Sequence, residues 1–281
     1  MKTTYQRRYL TLLIAALSLA SLPAESQTPA APAASVALTG IAHVAIRTSN
    51  LASTRAFFEK LGFVQAFELT KDGAPTEEFI KINDHQFLEL YPQAKPEDPL
   101  GYLHLCFESN NLDSLNAAYI TRGLTPTPVK KAGAGNLLFV LRGPDQQVIE
   151  FTQYLPGSMH TLDQGKHLGE NRISTSLASV VLSLNDSRPI PTYLEQKLGF
   201  AAEGVHRGAE VLALPGDSGQ TIAVMPRSTG PSFALVFAID DQQKTAERLH
   251  AAGFTANQQG DLLLLDGPEG SLVVFTSSRK P

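Results

Sequence analysis

One glutamate is unusual because it lies inside an apolar strand motif. Residues 143–152 read GPDQQVIEFT, a turn followed by a β-strand, with Glu150 between an isoleucine and a phenylalanine. Residues 267–276 read GPEGSLVVFT and have Val274 at the matching place. A carboxylate in the middle of a strand costs free energy unless a partner compensates its charge. The difference between the copies indicates a site that one half of the chain keeps and the other has lost.

Two histidines and a second glutamate occupy matching positions of the same repeat. The strands that open the four repeats carry, in order, His43, His104, Ser179 and Ala234, and the strands that close them carry Glu89, Glu150, Ala223 and Val274. The first half thus has histidine and glutamate where the second half has only small or apolar residues. A pseudo-twofold relation between the first two repeats would bring all four polar side chains onto one concave face.

This set of side chains is suited to a metal ion. Two imidazoles and two carboxylates can bind one divalent cation, such as Zn, Ni, Co, Mn or Fe(II), with positions left for water or substrate. Each residue alone also has an ordinary structural interpretation, as a hydrogen-bonded core histidine or a solvent-facing glutamate. Their joint occurrence in one half, with their joint absence from the other, favours a metal site formed by His43, Glu89, His104 and Glu150.

Four βαβββ units are predicted to position these residues. Each unit opens with an apolar strand, continues with a helix and returns through three strands. The helices are predicted to end at Gly62, Gly123, Gly199 and Gly253, because glycine adopts the left-handed conformation that closes a helix. We expect units one and two to form one domain, and units three and four another.

The pattern also predicts boundaries along the chain. The expected segments are a signal peptide (1–26), a flexible tether (27–38), a first domain with the metal site (39–153), a linker (154–173) and a second domain without metal ligands (174–277). A flexible turn at residues 133–136 is a candidate substrate loop.

The N-terminus has the pattern of an export signal. Lys2, Arg7 and Arg8 precede an apolar run from residue 9 to 22, and small residues suited to a signal peptidase follow. The run is shorter than the roughly 20 apolar residues of a membrane span. We therefore expect a periplasmic or secreted protein. An uncleaved anchor is the alternative, and Sec and twin-arginine export both remain open.

The composition is that of an ordinary globular protein. The 281 residues are 43% hydrophobic and 18% charged, and the net charge of -4 gives no electrostatic case for nucleic-acid binding. Cys106 is the only cysteine, which excludes an intrachain disulfide and an all-cysteine zinc site. The expected partner is a small-molecule substrate, with no nucleic acid and no stable membrane insertion after cleavage. The chain is expected to be a monomer or a homodimer.

Between residues 39 and 277 the chain resembles the vicinal-oxygen-chelate (VOC) superfamily, and its first domain resembles glyoxalase I. The resemblance lies in the motifs HVAIR (43–47), LEL (88–90), HLCF (104–107) and DQQVIE (145–150). It implies an α+β fold of four βαβββ modules, paired into two cupped, partly open β-barrel domains of the glyoxalase/bleomycin-resistance/dioxygenase type. It also implies that each motif supplies one ligand to a single divalent metal ion.

The resemblance assigns further roles. Glu89 and Glu150 would carry the substrate proton in addition to binding the metal, as in glyoxalase I. Arg47 matches an arginine that helps to hold a glutathione carboxylate there. Strand alternation places Arg47 and Glu108, each four residues after a ligand histidine, on the cavity side as candidate substrate contacts. A strand-end ion pair is the competing interpretation for both.

The implied activity is that of a metal-dependent lyase or isomerase. The metal would stabilise an enediolate of a substrate with two adjacent oxygens while glutamate moves the proton. One alternative is an Fe(II)- or Mn(II)-dependent extradiol-type dioxygenase that uses His43, His104 and Glu150. Another is a resistance or binding protein that sequesters a small molecule without turnover. The sequence leaves open which metal is bound, which substrate is used and whether glutathione takes part.

Overall fold

The computed structural model describes residues 37–227 and 230–277, and it contains two eight-stranded sheets. The first sheet comprises β1 (Gly40–Thr48), β2 (Val64–Lys71), β3 (Ala74–Lys81), β4 (Phe87–Pro92), β5 (Gly101–Glu108), β6 (Lys130–Lys131), β7 (Leu137–Arg142) and β8 (Val148–Gln153). The second comprises β9 (Leu177–Leu184), β10 (Ala201–His206), β11 (Ala209–Ala213), β12 (Thr221–Pro226), β13 (Phe233–Ala238), β14 (Asn257–Gln259), β15 (Leu262–Asp266) and β16 (Leu272–Thr276).

Short helices connect the strands. They are α1 (Leu51–Lys60), α2 (Leu112–Thr121), α3 (Met159–Leu162), α4 (Pro189–Tyr193) and α5 (Gln242–Ala251). A π-helical turn (Leu194–Leu198) continues α4, and a 3₁₀ turn (Pro268–Gly270) precedes β16. Four glycines follow helical segments with φ angles between 79° and 85°, as predicted: Gly62, Gly123, Gly199 and Gly253.

The two sheets have the same topology. The strand order is β2-β3-β4-β1-β5-β8-β7-β6 in the first and β10-β11-β12-β9-β13-β16-β15-β14 in the second. The opening strands of paired units lie antiparallel at the centre of each sheet, and each opening strand runs parallel to the closing strand of its own unit. The predicted α+β class and the four βαβββ units are therefore confirmed.

One face of each sheet packs into a common core. A single cluster of buried apolar side chains includes Val44 and Phe151 of the first sheet, Val180 and Phe275 of the second, and helix residues such as Tyr119. Because side chains alternate between the faces of a strand, the residues between these core positions point to the other face. In each half that other face lines a cavity.

Two glutamines at repeat-equivalent positions join the halves by buried hydrogen bonds. Gln86, just before β4, donates from Nε2 to the Leu177 carbonyl at 2.9 Å and accepts from the Leu177 amide at 3.0 Å. Gln220, just before β12, donates to the same carbonyl at 2.8 Å and accepts from the Ile41 amide at 2.7 Å. These bonds satisfy backbone groups at the ends of β1 and β9 that would otherwise be buried without partners.

The segment of residues 154–173, predicted as a linker, also packs against the first sheet. It contains α3, and its residues Ser158, His160 and Asp163 are buried. The fully buried Lys81 of β3 donates from Nζ to the Asp163 carbonyl at 2.6 Å and to Asp163 Oδ2 at 2.8 Å. Asp163 is thus a buried polar group of the segment whose partner lies in the sheet, so the segment does more than connect the two halves.

The predicted signal peptide and all but the last two residues of the tether lie outside the described residues. In the described part of the chain, no helix is both long and apolar enough to cross a membrane.

Candidate metal centre

Four adjacent strands of the first sheet each carry one polar side chain on the face opposite the common core. His43 lies on β1, Glu89 on β4, His104 on β5 and Glu150 on β8, and these strands are neighbours in the order β4-β1-β5-β8. Each residue has at least one neighbour in the common core, and Glu89 lies between two, Leu88 and Leu90. Burial of the flanking side chains therefore directs the histidines and glutamates to the opposite face.

The strand register places the four residues in two rows across the sheet. Glu89 and His104 lie on either side of Ala45 in one row. His43, Cys106 and Glu150 form the next row. Each row thus contains one histidine and one glutamate, which is the arrangement expected from two units related by a pseudo-twofold axis.

The ligand atoms of these side chains converge. His43 Nε2 lies 3.1 Å from His104 Nε2, 3.0 Å from Glu89 Oε2 and 3.5 Å from Glu150 Oε1. His104 Nε2 lies 3.4 Å from Glu89 Oε2. Two ligand atoms about 2.1 Å from a shared divalent ion are about 3.0–3.4 Å apart in octahedral or tetrahedral geometry. The observed separations are close to that range.

Hydrogen bonding alone does not account for this cluster. Glu89 Oε2 is buried and, although it lies near His43 Nε2, it accepts no well-aligned hydrogen bond from the described residues. The single Nε2 atom of His43 faces three acceptors or potential acceptors, and it can carry only one proton. A divalent cation would satisfy these lone pairs together, so the residues present fit such an ion.

The charges of the cluster reinforce each other. Burial alone would lower the pKa of His43, but the nearby Glu89 and Glu150 outweigh it and raise the pKa above its ordinary value. Burial would raise the pKa of Glu89, yet His43 and His104 hold it well below its usual range. The Glu89 carboxylate is therefore ionised and able to act as a ligand.

Glu150 occupies a slightly different place from the other three residues. The ligand atoms of His43, Glu89 and His104 lie within 4.8 Å of one another, whereas Glu150 forms a second such group with His43 and Cys106. The Glu150 side chain is 13% exposed and that of Glu89 is 6% exposed. Cys106 is fully buried, and burial followed by the charge of Glu150 raises its pKa well above the ordinary value.

Three residues of the cluster, His43, Glu89 and Glu150, line a cavity of about 210 Å³. Besides the residues above, it is lined by Glu77, Tyr91, Lys130, Lys131 and His160. Glu77 was missed from the sequence, although it shares a strand face with the cavity residue Phe79. Burial and then the neighbouring Glu89 raise the pKa of Glu77 to about 7.

His160 covers one side of the cavity from the segment that was predicted as a linker. Its ring stacks on Tyr154 with centroids 4.2 Å apart and meets the edges of Phe67, Phe79 and Phe87. Burial, followed by the positive charge of His43, lowers its pKa to about 3. No periodic signal in the sequence could have placed this neutral histidine at the cavity.

Two lysines provide positive charge at the mouth of the cavity. Lys130 and Lys131 form β6, and both side chains are exposed. The loop that follows, including Gly133 and Asn136, also lines the cavity. The candidate substrate loop at residues 133–136 is therefore next to the histidine and glutamate cluster.

Arg47 and Glu108 do not line this cavity. Each lies four residues beyond a histidine, roughly 13 Å along its strand at 3.3 Å per residue. Because β1 and β5 are antiparallel, the two residues lie at opposite ends of the sheet. Arg47 donates to the Pro99 carbonyl at 3.1 Å, and the buried Glu108 pairs with His85 Nδ1 at 3.0 Å. Arg47 and Glu108 each lie next to a core residue, Ile46 and Phe107, and so on the cavity side of their strands. Their distance along the strand nevertheless separates both from the cluster.

The second sheet has no histidine or carboxylate at the positions that correspond to the cluster. Ala223 and Ala234 flank Val181 in one row, as Glu89 and His104 flank Ala45 in the first sheet. Ser179, Val236 and Val274 form the row that corresponds to His43, Cys106 and Glu150. The pairing of the strands thus places these residues at the equivalent positions that the sequence repeat predicted.

Comparison with known proteins adds a family to this geometry. Residues 40–151 match the family model described as the Glyoxalase/Bleomycin resistance protein/Dioxygenase superfamily. No curated protein sequence matches the chain.

Solved structures with the same fold cover most of the chain. The Mn(II)-bound glyoxalase from Novosphingobium aromaticivorans superposes with a TM-score of 0.64 and 15% identity, covering 85% of this chain and 82% of that one. The 2,3-dioxygenase LapB from Pseudomonas sp. KL28 has the same TM-score and identity, covering 86% and 93%. A single-residue variant of homoprotocatechuate 2,3-dioxygenase from B. fuscum also scores 0.64 at 15% identity, covering 89% and 74%. At this identity the similarity establishes a shared fold.

The buried lysine that holds the covering segment gives a testable prediction. Lys81→Met removes the contacts of Nζ with Asp163 and with Asp84 Oδ1 at 2.8 Å, and it leaves the buried Asp163 without its cationic partner in β3. We expect the free energy of unfolding to fall by about 3 kcal/mol, as for other broken buried pairs. Lys166→Met is the control, because the Lys166 side chain is exposed and its Nζ donates to the Leu162 carbonyl. Urea denaturation of both variants measures the difference, and equal stabilities would contradict the role given to Lys81.

Proposed function

Residues 40–151 belong to the glyoxalase/bleomycin resistance protein/dioxygenase superfamily, and from this premise we propose that the protein is a divalent-metal-dependent lyase or isomerase of glyoxalase type. The proposed substrate is a small molecule with two adjacent oxygens. The observation that carries the proposal is the convergence of His104, Glu89 and Glu150 on His43 Nε2, with ligand atoms 3.1, 3.0 and 3.5 Å from it, in one largely buried cluster.

The proposed roles follow from the positions of the side chains. His43, Glu89 and His104 would hold a divalent ion, which would supply Lewis-acid polarisation of neighbouring substrate oxygens. Glu89 is fixed by both imidazoles, and we assign it as a ligand that also accepts a proton. Glu150 contacts only one histidine of the cluster and is more exposed to the cavity than Glu89. We therefore assign Glu150 as the group that removes and returns the proton at the substrate carbon beside a carbonyl.

The dimensions and charge of the cavity favour a small, acidic substrate. Its volume of about 210 Å³ is below the roughly 300–1,000 Å³ of pockets that enclose drug-sized ligands. A glutathione adduct would extend beyond it. Lys130 and Lys131 at the mouth would favour an anionic group on the substrate. These features support a small 2-oxo or 2-hydroxy acid.

One observation favours a second candidate, an extradiol-type dioxygenase. One group of converging ligand atoms is His43, Glu89 and His104, a set of two histidines and one carboxylate. Such a set with open positions is typical of non-haem Fe(II) oxygenases. This set differs from the one expected from the sequence, because Glu89 takes the place of Glu150.

Metal analysis tests the premise of both candidates. We expect about one divalent ion per purified chain, as in a closed protein site, and its loss in His43→Ala/His104→Ala. The control is His85→Ala/His250→Ala, which removes two histidines outside the cluster and should retain the ion. Zn, Ni or Co would favour the lyase or isomerase, and Fe with oxygen uptake on catechols would favour the dioxygenase. If neither the parent protein nor the control variant bound metal after reconstitution, both enzymatic proposals would be contradicted, and a sequestering protein would remain.

The role of Glu150 gives a second test. Glu150→Gln removes the proton acceptor but retains His43, Glu89 and His104, so metal content should be unchanged. We expect deuterium exchange at the carbon beside the carbonyl of 2-oxo acids or methylglyoxal, with and without glutathione, to slow by about 10²–10⁴-fold. Glu170→Gln, at an exposed position, is the matched control. An exchange rate of Glu150→Gln within a few-fold of the rate of the parent protein would show that Glu150 does not carry the proton.

Export is part of the proposal on sequence grounds alone. The basic and apolar pattern of residues 1–26 predicts that the mature chain starts at about Gln27. N-terminal sequencing of the protein from the periplasm or medium would measure this. An intact Met1 on cell-associated protein would contradict cleavage.

A further inference from the structure

The second sheet encloses a larger cavity than the first. Its volume is about 410 Å³, within the range of small-molecule sites. The floor is formed by Ala234, Val236, Leu262 and Val274, all buried, which pack together as an apolar cluster of their own. This cluster is separate from the common core, since it lies on the opposite face of the sheet.

The cavity occupies the place that corresponds to the metal cluster. Ala234 pairs across β9 as His104 pairs across β1, and Val274 lies in the row that matches Glu150. Replacement of a histidine by alanine and of a glutamate by valine removes both volume and charge from the floor. The same topology therefore yields a small polar cavity in one half and a larger apolar cavity in the other.

The chemistry of the lining limits what the cavity can bind. Of its described lining residues, most are aliphatic, including Met225 and Leu264, and none is a carboxylate or a lysine. The one arginine, Arg207, lies at the rim and donates to Asp261 Oδ1 at 2.7 Å. An uncharged, largely apolar molecule is the class of ligand that such a surface binds, because a charged ligand would lose hydration without gaining a partner on the floor.

The surroundings of the cavity favour a small molecule over a protein. Among the described residues, the exposed large hydrophobic side chains are few and scattered, and only Val205 belongs to the second half. A stable protein interface needs about 800 Å² from each partner. The apolar surface is concentrated inside the concave sheet and does not continue around it, so it is suited to an enclosed ligand.

We propose that the second sheet is a binding site for an uncharged, mainly apolar small molecule, independent of the metal centre. The site uses the concave face of the second sheet, with its floor on β13, β15 and β16 and further lining residues on β9 and β12. Serine, histidine, arginine and glutamine side chains at its edge can orient one polar atom of the ligand.

Fluorescence titration with N-phenyl-1-naphthylamine, an uncharged apolar probe, tests the proposal. The chain contains no tryptophan, so Met225→Trp introduces a single indole at the cavity whose energy transfer to the probe reports where it binds. We expect saturable binding of about one probe per chain, as in a single defined pocket. His43→Ala/His104→Ala should bind the probe equally well, since the site is independent of the first cavity.

Two variants block the cavity in different ways. Ala234→Phe fills the floor of the cavity. Leu264→Lys places a charge in the lining, at a half-buried position that tolerates substitution more readily than the buried Ala234. Each should raise the dissociation constant at least about tenfold. Ala251→Phe is the matched control, because Ala251 is exposed on α5, and it should bind like the parent chain. Circular dichroism identifies any variant that fails to fold.

The proposal is overturned by three results. Absence of saturable binding would exclude the site. Binding that survives both Ala234→Phe and Leu264→Lys in folded proteins would place the probe elsewhere. A dimer in sedimentation velocity that dissociates in Ala234→Phe would show that a second copy of the chain covers this face.

Discussion

The structure depends on one constraint, which is the alternation of side chains along strands whose other face is buried in a shared core. Val44, Leu88, Leu105 and Phe151 fill that core from four adjacent strands. The residues next to them in sequence must point to the opposite face, because a shift of one residue would move the core side chains into the cavity. The free energy of core burial thus orients His43, Glu89, His104 and Glu150, although these residues stabilise the fold little by themselves.

The two halves have the same topology but different side chains at the floor of the cavity. In the first sheet four polar side chains converge and leave a cavity of about 210 Å³; in the second, small and aliphatic residues leave about 410 Å³. The hydrogen bonds of Gln86 and Gln220 tie the halves together at equivalent places. The polar half therefore packs against a second half of the same topology, which has no histidine or carboxylate at the metal-site positions.

Much of this was determined by the sequence alone. The period-two apolar pattern predicted the strands, and glycines such as Gly62 and Gly253 predicted the helix ends, because both signals are local. The repeat identified the histidine and glutamate positions by comparison of one half with the other. It also predicted that the second half lacks them, since equivalent residues must occupy equivalent places in two copies of one fold.

Tertiary structure decided how the first cavity is completed. Glu77 lines it from the same face of β3 as Phe79. His160 lines it because residues 154–173 pack against the sheet, where Asp163 contacts Lys81, and no local pattern encodes such a return. Arg47 and Glu108 share the correct strand face but lie at opposite ends of antiparallel strands. The sequence determines which face a residue occupies, because that is set by its immediate neighbours. Which residues meet depends on curvature and long-range packing, which only the folded chain establishes.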